Sequence, residues 1–268
     1  MNFEAVMPTR PLAAYVGGKR LLSREIISRL ERIPHATYVE PFVGMGGIFL
    51  RRSQKPGAEV INDGNGEVAN LFRILQRHYV AFVDMMRWQI TSRREFERLV
   101  ATEPATLTDL ERAARFLFLQ KTAFGGKVTG QHFGVSVKES ASFNITKLVP
   151  MLEAVHERLA SVVIENLDFV ACIQRYDRPE TLFYLDPPYW GTEDYYGKTL
   201  FNRGDFQRLA EALSLLQGQF LLSLNDCEGV RETFAAFDME RVETRYSVSS
   251  SAGPKMVGEV LISGKHQK

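Results

Sequence analysis

The segment Thr181-Leu182-Phe183-Tyr184-Leu185-Asp186-Pro187-Pro188-Tyr189 decides the fold class of this chain. Its first five residues are apolar or β-branched and predict a buried strand, which leads directly into an acid, two prolines and an aromatic residue. Similar short runs recur along the chain, and stretches with helical spacing separate most of them. Strands that alternate with helices in this way are typical of a parallel sheet covered on both faces. We therefore predict an α/β fold.

Three of the predicted strands end in an acid, namely Asp63, Asp168 and Asp186. In open parallel sheets, ligands bind outside the carboxyl ends of the strands, so we expect these carboxylates to line one site. The predicted strands are 37–42, 58–63, 161–168, 181–186, 219–225, 241–248 and 258–263. The predicted helices outside the central region are 20–32, 146–159, 205–216 and 229–237.

Residues 66–150 break this alternation. They carry helical patterns over 68–86, 93–101 and 109–121, and no convincing core strand. A glycine-rich stretch at 123–130 predicts a hairpin or an exposed loop. We predict a sheet domain built from residues 1–65 and 151–268, with residues 66–150 inserted as a helical subdomain.

Composition excludes several classes of protein. Cys172 and Cys227 are too few for a disulfide framework, and the five histidines show no ligand spacing, so no metal site is predicted. The chain carries no signal peptide and no apolar stretch near the roughly 18 residues of a membrane span, which favours the cytoplasm. Residues 1–62 and 66–150 each carry four more basic than acidic side chains. This excess is compatible with phosphate contacts, although a solvated surface gives the same count.

The segment Asp186–Tyr189 combines two hydrogen-bond acceptors with a flat ring. Prolines have no N–H, so nearby carbonyls stay free to accept, and an ionised Asp186 only accepts. Two such acceptors hold both N–H bonds of an amine and aim its lone pair at an electrophile, while Tyr189 can stack on a planar base. The motif thus indicates methyl transfer to a ring-conjugated amine, helped by positioning and charge stabilisation. A proline-stiffened strand end beside a core aromatic would give the same short pattern.

Two glycine turns predict a nucleoside ligand. Glu40-Pro41-Phe42-Val43-Gly44-Met45-Gly46-Gly47 follows the first predicted strand, and a helix is predicted to begin at Ile48. Asp63 follows about 20 residues later, at a strand end where a carboxylate can bind ribose hydroxyls. Tyr15-Val16-Gly17-Gly18-Lys19 leads into the first predicted helix, and Lys19 is suited to meet a carboxylate. A capped surface helix explains this last block equally well.

Taken in order, these elements resemble the Dam-type family of N6-adenine-specific DNA methyltransferases, including its phage and prophage members. The likeness also covers 116–119, 246–250 and 259–262, so it spans nearly the whole chain. It implies a Rossmann-like sheet of seven strands with the last one antiparallel, and an inserted helical target-recognition subdomain. It further implies S-adenosylmethionine as the methyl donor and double-stranded DNA as the partner. No membrane contact and no obligate protein partner are indicated.

The resemblance also assigns roles to single residues. The target adenine, flipped out of the duplex because its N6 cannot react inside the stack, is expected against Asp186, Pro187, Pro188 and Tyr189. S-adenosylmethionine is expected among Tyr15, Lys19, Phe42, Gly44, Asp63, Asp168, Phe169 and Asp186.

DNA contacts are expected at Lys121, Phe124, Lys127 and Thr129. Family members that read GATC carry an aromatic wedge, an Asn and a guanine-reading Arg in a hairpin, and ungapped matching puts Phe124, Gly125 and Thr129 there. Loss of a bidentate Arg removes roughly 1–3 kcal/mol of base discrimination. We therefore predict a shorter, different or permissive recognition site.

Two other functions stay open on the sequence alone. One is methyl transfer to another amine, either guanine or adenine in RNA or a side-chain amide in protein, and the Tyr-x-Gly-Gly-Lys block with the large insert speaks against it. The other is a DNA-binding homologue that has lost catalysis, and the intact segment Asp186–Tyr189 speaks against that.

Overall fold

The structure of the protein is a computed structural model that describes residues 3–15, 19, 21–123, 131–134, 142–193, 200–246 and 255–264. Its strands are β1 Glu4–Ala5, β2 Thr37–Glu40, β3 Gln54–Lys55, β4 Ala58–Asn62, β5 Val163–Glu165, β6 Thr181–Leu185, β7 Gln219–Asn225, β8 Asp238–Tyr246 and β9 Lys255–Ser263. Its helices are α1 Ser23–Leu30, α2 Gly66–Arg77, α3 Tyr79–Arg87, α4 Arg93–Ala101, α5 Asp109–Thr122, α6 Ile145–Arg158, α7 Phe169–Tyr176, α8 Arg203–Ser214 and α9 Glu228–Thr233.

Seven strands form the central sheet in the order β5-β4-β2-β6-β7-β9-β8. The pairings from β5 to β7 are parallel, whereas β9 runs antiparallel to both β7 and β8. The prediction of a seven-stranded sheet with an antiparallel last strand is therefore confirmed. From β2 the chain continues to β4 and β5 on one side, and from β6 it continues to β7 on the other side. Where the strand order reverses in this way, a crevice opens beyond the carboxyl ends of the two central strands.

Strand β6 shows why the sheet is covered on both faces. All five of its residues are buried. Leu182 and Tyr184 belong to one hydrophobic cluster, and Phe183 and Leu185 belong to the other. Because successive side chains of a strand point to opposite faces, an unbroken apolar run requires a core on each side.

The helical region packs on one of these faces. Side chains from α2 to α6 share a single cluster with β2 and β6, so this region and the sheet have a continuous core.

The predicted boundary between residues 150 and 151 falls inside α6. The single helix predicted over 68–86 is wrong, because α2 and α3 are separated at His78, whose backbone (φ −126°, ψ 32°) is not helical.

The helix predicted to begin at Ile48 is also wrong, since only one 3-10 turn, Phe49–Arg51, follows the glycine turn. The chain must reach β4 at Ala58, and the intervening segment is held by the N-terminal residues instead. Strand β3 pairs with β1, and the Thr9 N–H donates to the Leu50 carbonyl at 2.7 Å. These pairings leave no length for a longer helix.

Two further features concern the ends of elements. Helix α7, for which no helix was predicted, is capped by Asp168, whose side chain accepts the Val170 N–H. At the end of α5, Ala123 forms an antiparallel bridge with Phe133, which closes the base of the predicted hairpin. Phe124, Lys127 and Thr129 lie outside the described residues. Among the helices that the structure describes, none has both the length and the apolar character needed to cross a membrane.

Candidate active site

A cavity of about 930 Å³ lies at the carboxyl ends of β2, β4 and β6. The predicted site residues that line it are Tyr15, Lys19, Phe42, Gly44, Asp63, Lys121, Asp168, Phe169, Asp186 and Pro188. Pro187 and Tyr189 are not among its lining residues, although they adjoin Pro188 in the chain. The fold thus brings the Gly44 turn together with Tyr15, Lys19, Asp63 and Asp186. Asp168 also lines the cavity, but it caps α7 and lies beyond the end of β5, so the prediction that it ends a strand is wrong. Gly17 and Gly18 lie outside the described residues.

The turn after β2 is tied to the end of β4 through Asp63. The Gly44 N–H donates to Asp63 Oδ2 at 2.8 Å, and the Asn65 N–H donates to Oδ1 at 2.8 Å. Gly44 has a φ of +50°, and a Cβ there would lie 3.1 Å from the Tyr15 ring, so glycine is required at this position. Burial raises the pKa of Asp63 to about 6, while its two backbone hydrogen bonds lower it.

Three aromatic rings form one wall of the cavity. The ring centroids of Phe42 and Phe169 lie 5.4 Å apart, and Phe201 lies 5.8 Å from Phe42 and 5.7 Å from Phe169. Phe201 was not predicted from the sequence. Its signal was its position just before Asn202, which forms a capping box with Asp205 at the start of α8. An apolar residue that precedes a capped helix commonly packs inward.

Asp186 is held by neighbours on two sides. Its Oδ1 lies 2.9 Å from Lys19 Nζ, and Ser223 Oγ donates to the same oxygen at 3.3 Å. The Tyr184 hydroxyl lies 2.9 Å from Ser223 Oγ, which continues the network into the sheet. Burial raises the pKa of Asp186 to about 6, although Lys19 opposes the shift. The carboxylate is therefore mainly ionised at neutral pH, with a pKa about one unit below that pH.

Lys19 joins Asp186 to a second acid that was not predicted as a site residue. Its ammonium is 1% exposed, lies 3.2 Å from Glu259 Oε2, and also donates to the Tyr189 hydroxyl. The Tyr189 ring centroid is 4.1 Å from Lys19 Nζ. Glu259 lies on β9, opposite Asn225 of β7. A contact of Lys19 with the carboxylate of a methyl donor stays a prediction.

Glu40 is another acid of the cavity that was quoted in the glycine motif but not predicted as a site residue. It is buried, and its Oε2 accepts the Tyr38 hydroxyl at 2.8 Å. Burial raises the pKa of Glu40 to about 8, so the side chain is mainly protonated at neutral pH. Of the two carboxyl groups, Asp186 is therefore the one that is ionised.

The cavity can bind a ligand that carries hydroxyls, an amine and an aromatic ring. Its acids offer acceptors, its wall offers ring faces, and the Gly44 turn lets backbone approach closely. Within the described part of the chain, no three His, Cys, Asp or Glu side chains are grouped to hold a metal ion.

Comparison with known proteins shows the family of the chain. The Type II methyltransferase M.CviBI of Paramecium bursaria Chlorella virus NC1A is 22% identical over 91% of this chain and 94% of its own length. The DNA adenine methylase of Haemophilus influenzae is 23% identical over 94% of this chain and 92% of its own length. The DNA N-6-adenine-methyltransferase of Escherichia phage P1 is 26% identical over 94% of this chain and 35% of its own length. A family model for the D12 class N6 adenine-specific DNA methyltransferase matches residues 15–248, which is most of the chain. The protein therefore belongs to the D12 class of N6 adenine-specific DNA methyltransferases.

Proposed function

We propose that the protein uses S-adenosylmethionine as its methyl donor and acts on adenine that is flipped out of double-stranded DNA. The family defines the reaction as transfer of a methyl group to adenine N6 in DNA. One observation carries the proposal for the site, namely that Asp186 and the Gly44–Asp63 pair open onto the same cavity. A donor bound at the pair and an amine bound at Asp186 would lie side by side.

The residues of the cavity fit S-adenosylmethionine. Asp63 uses each carboxylate oxygen for one backbone N–H, and each oxygen keeps a lone pair for a ribose hydroxyl. Phe42 and Phe169 offer apolar faces to an adenine ring. Asp63 and Asp186 are ionised at neutral pH and open onto the cavity, which suits a ligand that carries a positive sulfonium. When bound, S-adenosylmethionine supplies an electrophilic methyl group.

Asp186 and the Pro187 carbonyl would hold the acceptor amine. Each accepts one N6–H, which fixes the plane of the amino group and directs the nitrogen lone pair toward the methyl carbon. As the N–C bond forms and the C–S bond breaks, the nitrogen becomes positive and then loses one proton. An ionised Asp186 stabilises this charge and is placed to receive the proton. Stacking of Tyr189 on the base stays a prediction.

The helical region of residues 66–150 would serve as the target-recognition part. Lys121, in the last turn of α5, lines the cavity, and burial lowers its pKa. The bridge between Ala123 and Phe133 holds both ends of the predicted hairpin next to this lysine. This position supports a role for the hairpin in reading bases beside the flipped adenine.

Methyl transfer to matched substrates tests the proposal. Duplex DNA, single-stranded DNA and RNA of the same sequence are incubated with labelled S-adenosylmethionine, and the product nucleosides are identified. We expect N6-methyladenine in the duplex at the highest rate. Preferential labelling of RNA would refute the proposal in favour of an RNA enzyme.

The variant Asp186→Ala tests the catalytic role separately from DNA binding. We expect it to lose methyl transfer and to keep duplex affinity, because it removes an acceptor of the amine and not a phosphate contact. Asp238→Ala is the matched control, since Asp238 is exposed at the start of β8, the edge strand of the sheet. A catalytically dead homologue would show no transfer in the wild type either.

Two further measurements address flipping and specificity. A 2-aminopurine at the target position should gain fluorescence when the enzyme binds, because the base leaves the stack. Duplexes that vary one base around a single adenine should be methylated outside GATC. Transfer confined to GATC would refute the predicted change of specificity.

A further inference from the structure

The charges of the cavity are divided between its floor and its mouth. Asp186, which is ionised at neutral pH, is 20% exposed and directly follows the central strand β6. Glu40, at the end of β2, is buried and mainly protonated. Arg10 and Arg24 also line the cavity, but both are exposed. The arginines therefore face solvent at the opening, whereas the carboxyl groups lie inside.

Arg10 and Arg24 line the cavity without an acidic partner among the described residues. In the part of the chain that the structure describes, neither forms an ion pair or a side-chain hydrogen bond with a carboxylate. Arg29, on the same helix as Arg24, is bound by Glu25 and Glu240. Two cations at one cavity mouth thus keep their hydrogen-bond donors available for a ligand.

The backbone that carries these arginines is fixed to the body of the protein. Arg10 lies between Pro8 and Pro11, next to Thr9, whose N–H donates to the Leu50 carbonyl. Arg24 lies in the first turn of α1, directly after Ser23, which is buried and bonded to the Lys19 carbonyl at 2.7 Å. A ligand that binds the two guanidinium groups is thereby positioned relative to Lys19 and Asp186.

We infer that Arg10 and Arg24 bind backbone phosphates of the DNA strand that flank the flipped adenine, an inference that rests on the proposed function. A base can reach Asp186 only if its strand crosses the cavity mouth. The ionised Asp186 inside repels that polyanion, and guanidinium groups at the opening offset the repulsion and form bidentate bonds with phosphate. These contacts carry no base preference, so they position the strand for any recognition sequence.

The salt dependence of DNA affinity tests this inference with Arg10→Gln, Arg24→Gln and the double variant. The control is Arg178→Gln, because Arg178 is exposed and lies between α7 and β6, at the opposite end of β6 from the cavity. Duplex affinity is measured by fluorescence anisotropy from about 50 to 200 mM salt. We expect each rim variant to lower the slope of log Kd against log salt by about 1, equally for all sequences, while the control leaves it unchanged.

Arg10 and Arg24 could bind the carboxylate of S-adenosylmethionine instead of a DNA phosphate. Calorimetry of S-adenosylmethionine binding distinguishes these two anions. We expect the donor Kd of the double variant to stay within about twofold of wild type, since the loss of the two phosphate contacts weakens only the binding of DNA. Unchanged salt slopes would overturn the inference. So would a weakened donor affinity with unchanged slopes, which would assign the arginines to the donor carboxylate. The proposed function is tested separately by methyl transfer from the wild type to duplex DNA and RNA, and the salt slopes of the variants do not affect that result.

Discussion

The carboxamide of Asn225 binds both backbone polar groups of Trp190. Its Oδ1 accepts the Trp190 N–H at 2.9 Å, and its Nδ2 donates to the Trp190 carbonyl at 3.1 Å. Asn225 is the last residue of β7, and Trp190 directly follows Tyr189. The end of β7 thus fixes the segment that follows β6. Asp186 is held by Lys19 and Ser223, so the Asp-Pro-Pro-Tyr motif is held at both of its ends.

Asn225→Ala is therefore expected to reduce catalysis more than binding. It removes two hydrogen bonds, each worth about 0.5–1.5 kcal/mol, and a shift of about 1 Å in the Asp186–Tyr189 segment can cost about 10²-fold in rate. We expect kcat to fall by about 10- to 100-fold with the Kd for DNA little changed. Single-turnover kinetics checks this. Gln76→Ala is the control, because Gln76 also binds two backbone carbonyls, those of Leu159 and Val162, away from the cavity.

Gly229→Ala is expected to displace the Trp190 ring. A Cβ at Gly229 would lie 2.1 Å from Trp190 Cζ2, so the ring or α9 must move. Overpacking of this kind costs about 1–3 kcal/mol, and thermal unfolding with tryptophan emission measures it. Gly57→Ala is the control, since its Cβ meets only the Ala36 carbonyl at 3.7 Å. Addition of Trp190→Ala should recover part of the loss, and a wild-type melting temperature for Gly229→Ala alone would contradict the prediction.

The pH dependence of kcat/KM should report the ionisation of Asp186. Burial raises its pKa to about 6, and only the ionised form accepts both the amine and its proton. We expect kcat/KM to be level above about pH 7 and to fall about tenfold per pH unit well below pH 6. A rate that rises on acidification would exclude the carboxylate as the acceptor.

Glu259→Gln distinguishes Asp186 from Asp63, whose pKa is also raised to about 6. The charge of Glu259 raises the pKa of Asp186, and it is not among the causes of the shift at Asp63. The substitution also leaves Lys19 with one ionised neighbour, Asp186, in place of two. We expect the acidic limb of the profile to move to lower pH. A profile that does not move would assign the limb to Asp63.

Glu59→Gln should destabilise the fold without changing the site. Glu59 binds Arg158 at 2.6 and 2.8 Å and Arg52 at 2.9 Å, and all three side chains are buried where β4 begins. Removal of the shared carboxylate leaves two buried cations, which costs about 3–5 kcal/mol. Urea unfolding measures the loss, and kcat per folded molecule should stay constant. Glu25→Gln, which breaks an exposed pair with Arg29, should cost less than about 1 kcal/mol.

The parts of the site that were predicted from sequence are those with a local signal. Strand β6 and its Asp-Pro-Pro-Tyr ending form one uninterrupted segment, and the Gly44 turn and Asp63 each end a strand. Parallel strands bring their carboxyl ends together, so the shared cavity follows from the fold class. The break at His78 has no comparable local pattern, whereas α7 had a signal that was missed, since Asp168 caps it.

The charge network of the site could not be predicted in this way. Lys19 and Glu259 lie at opposite ends of the chain, and they meet only because β9 inserts between β7 and β8. The protonation of Glu40 likewise results from its burial, and it cannot be predicted from the residues of the glycine motif alone. Asn225 ends a predicted strand, yet its bond to Trp190 depends on the register between β6 and β7.

The bridge between Ala123 and Phe133 has a practical consequence for engineering. Phe133 packs against Phe96 of α4, with ring centroids 5.3 Å apart, so this side of the bridge is anchored on a helix. The two splice points of a loop transplanted at this proposed recognition segment would therefore already lie side by side. A cassette taken from a relative with another target sequence can be grafted there without touching the strand ends that carry Asp63 and Asp186.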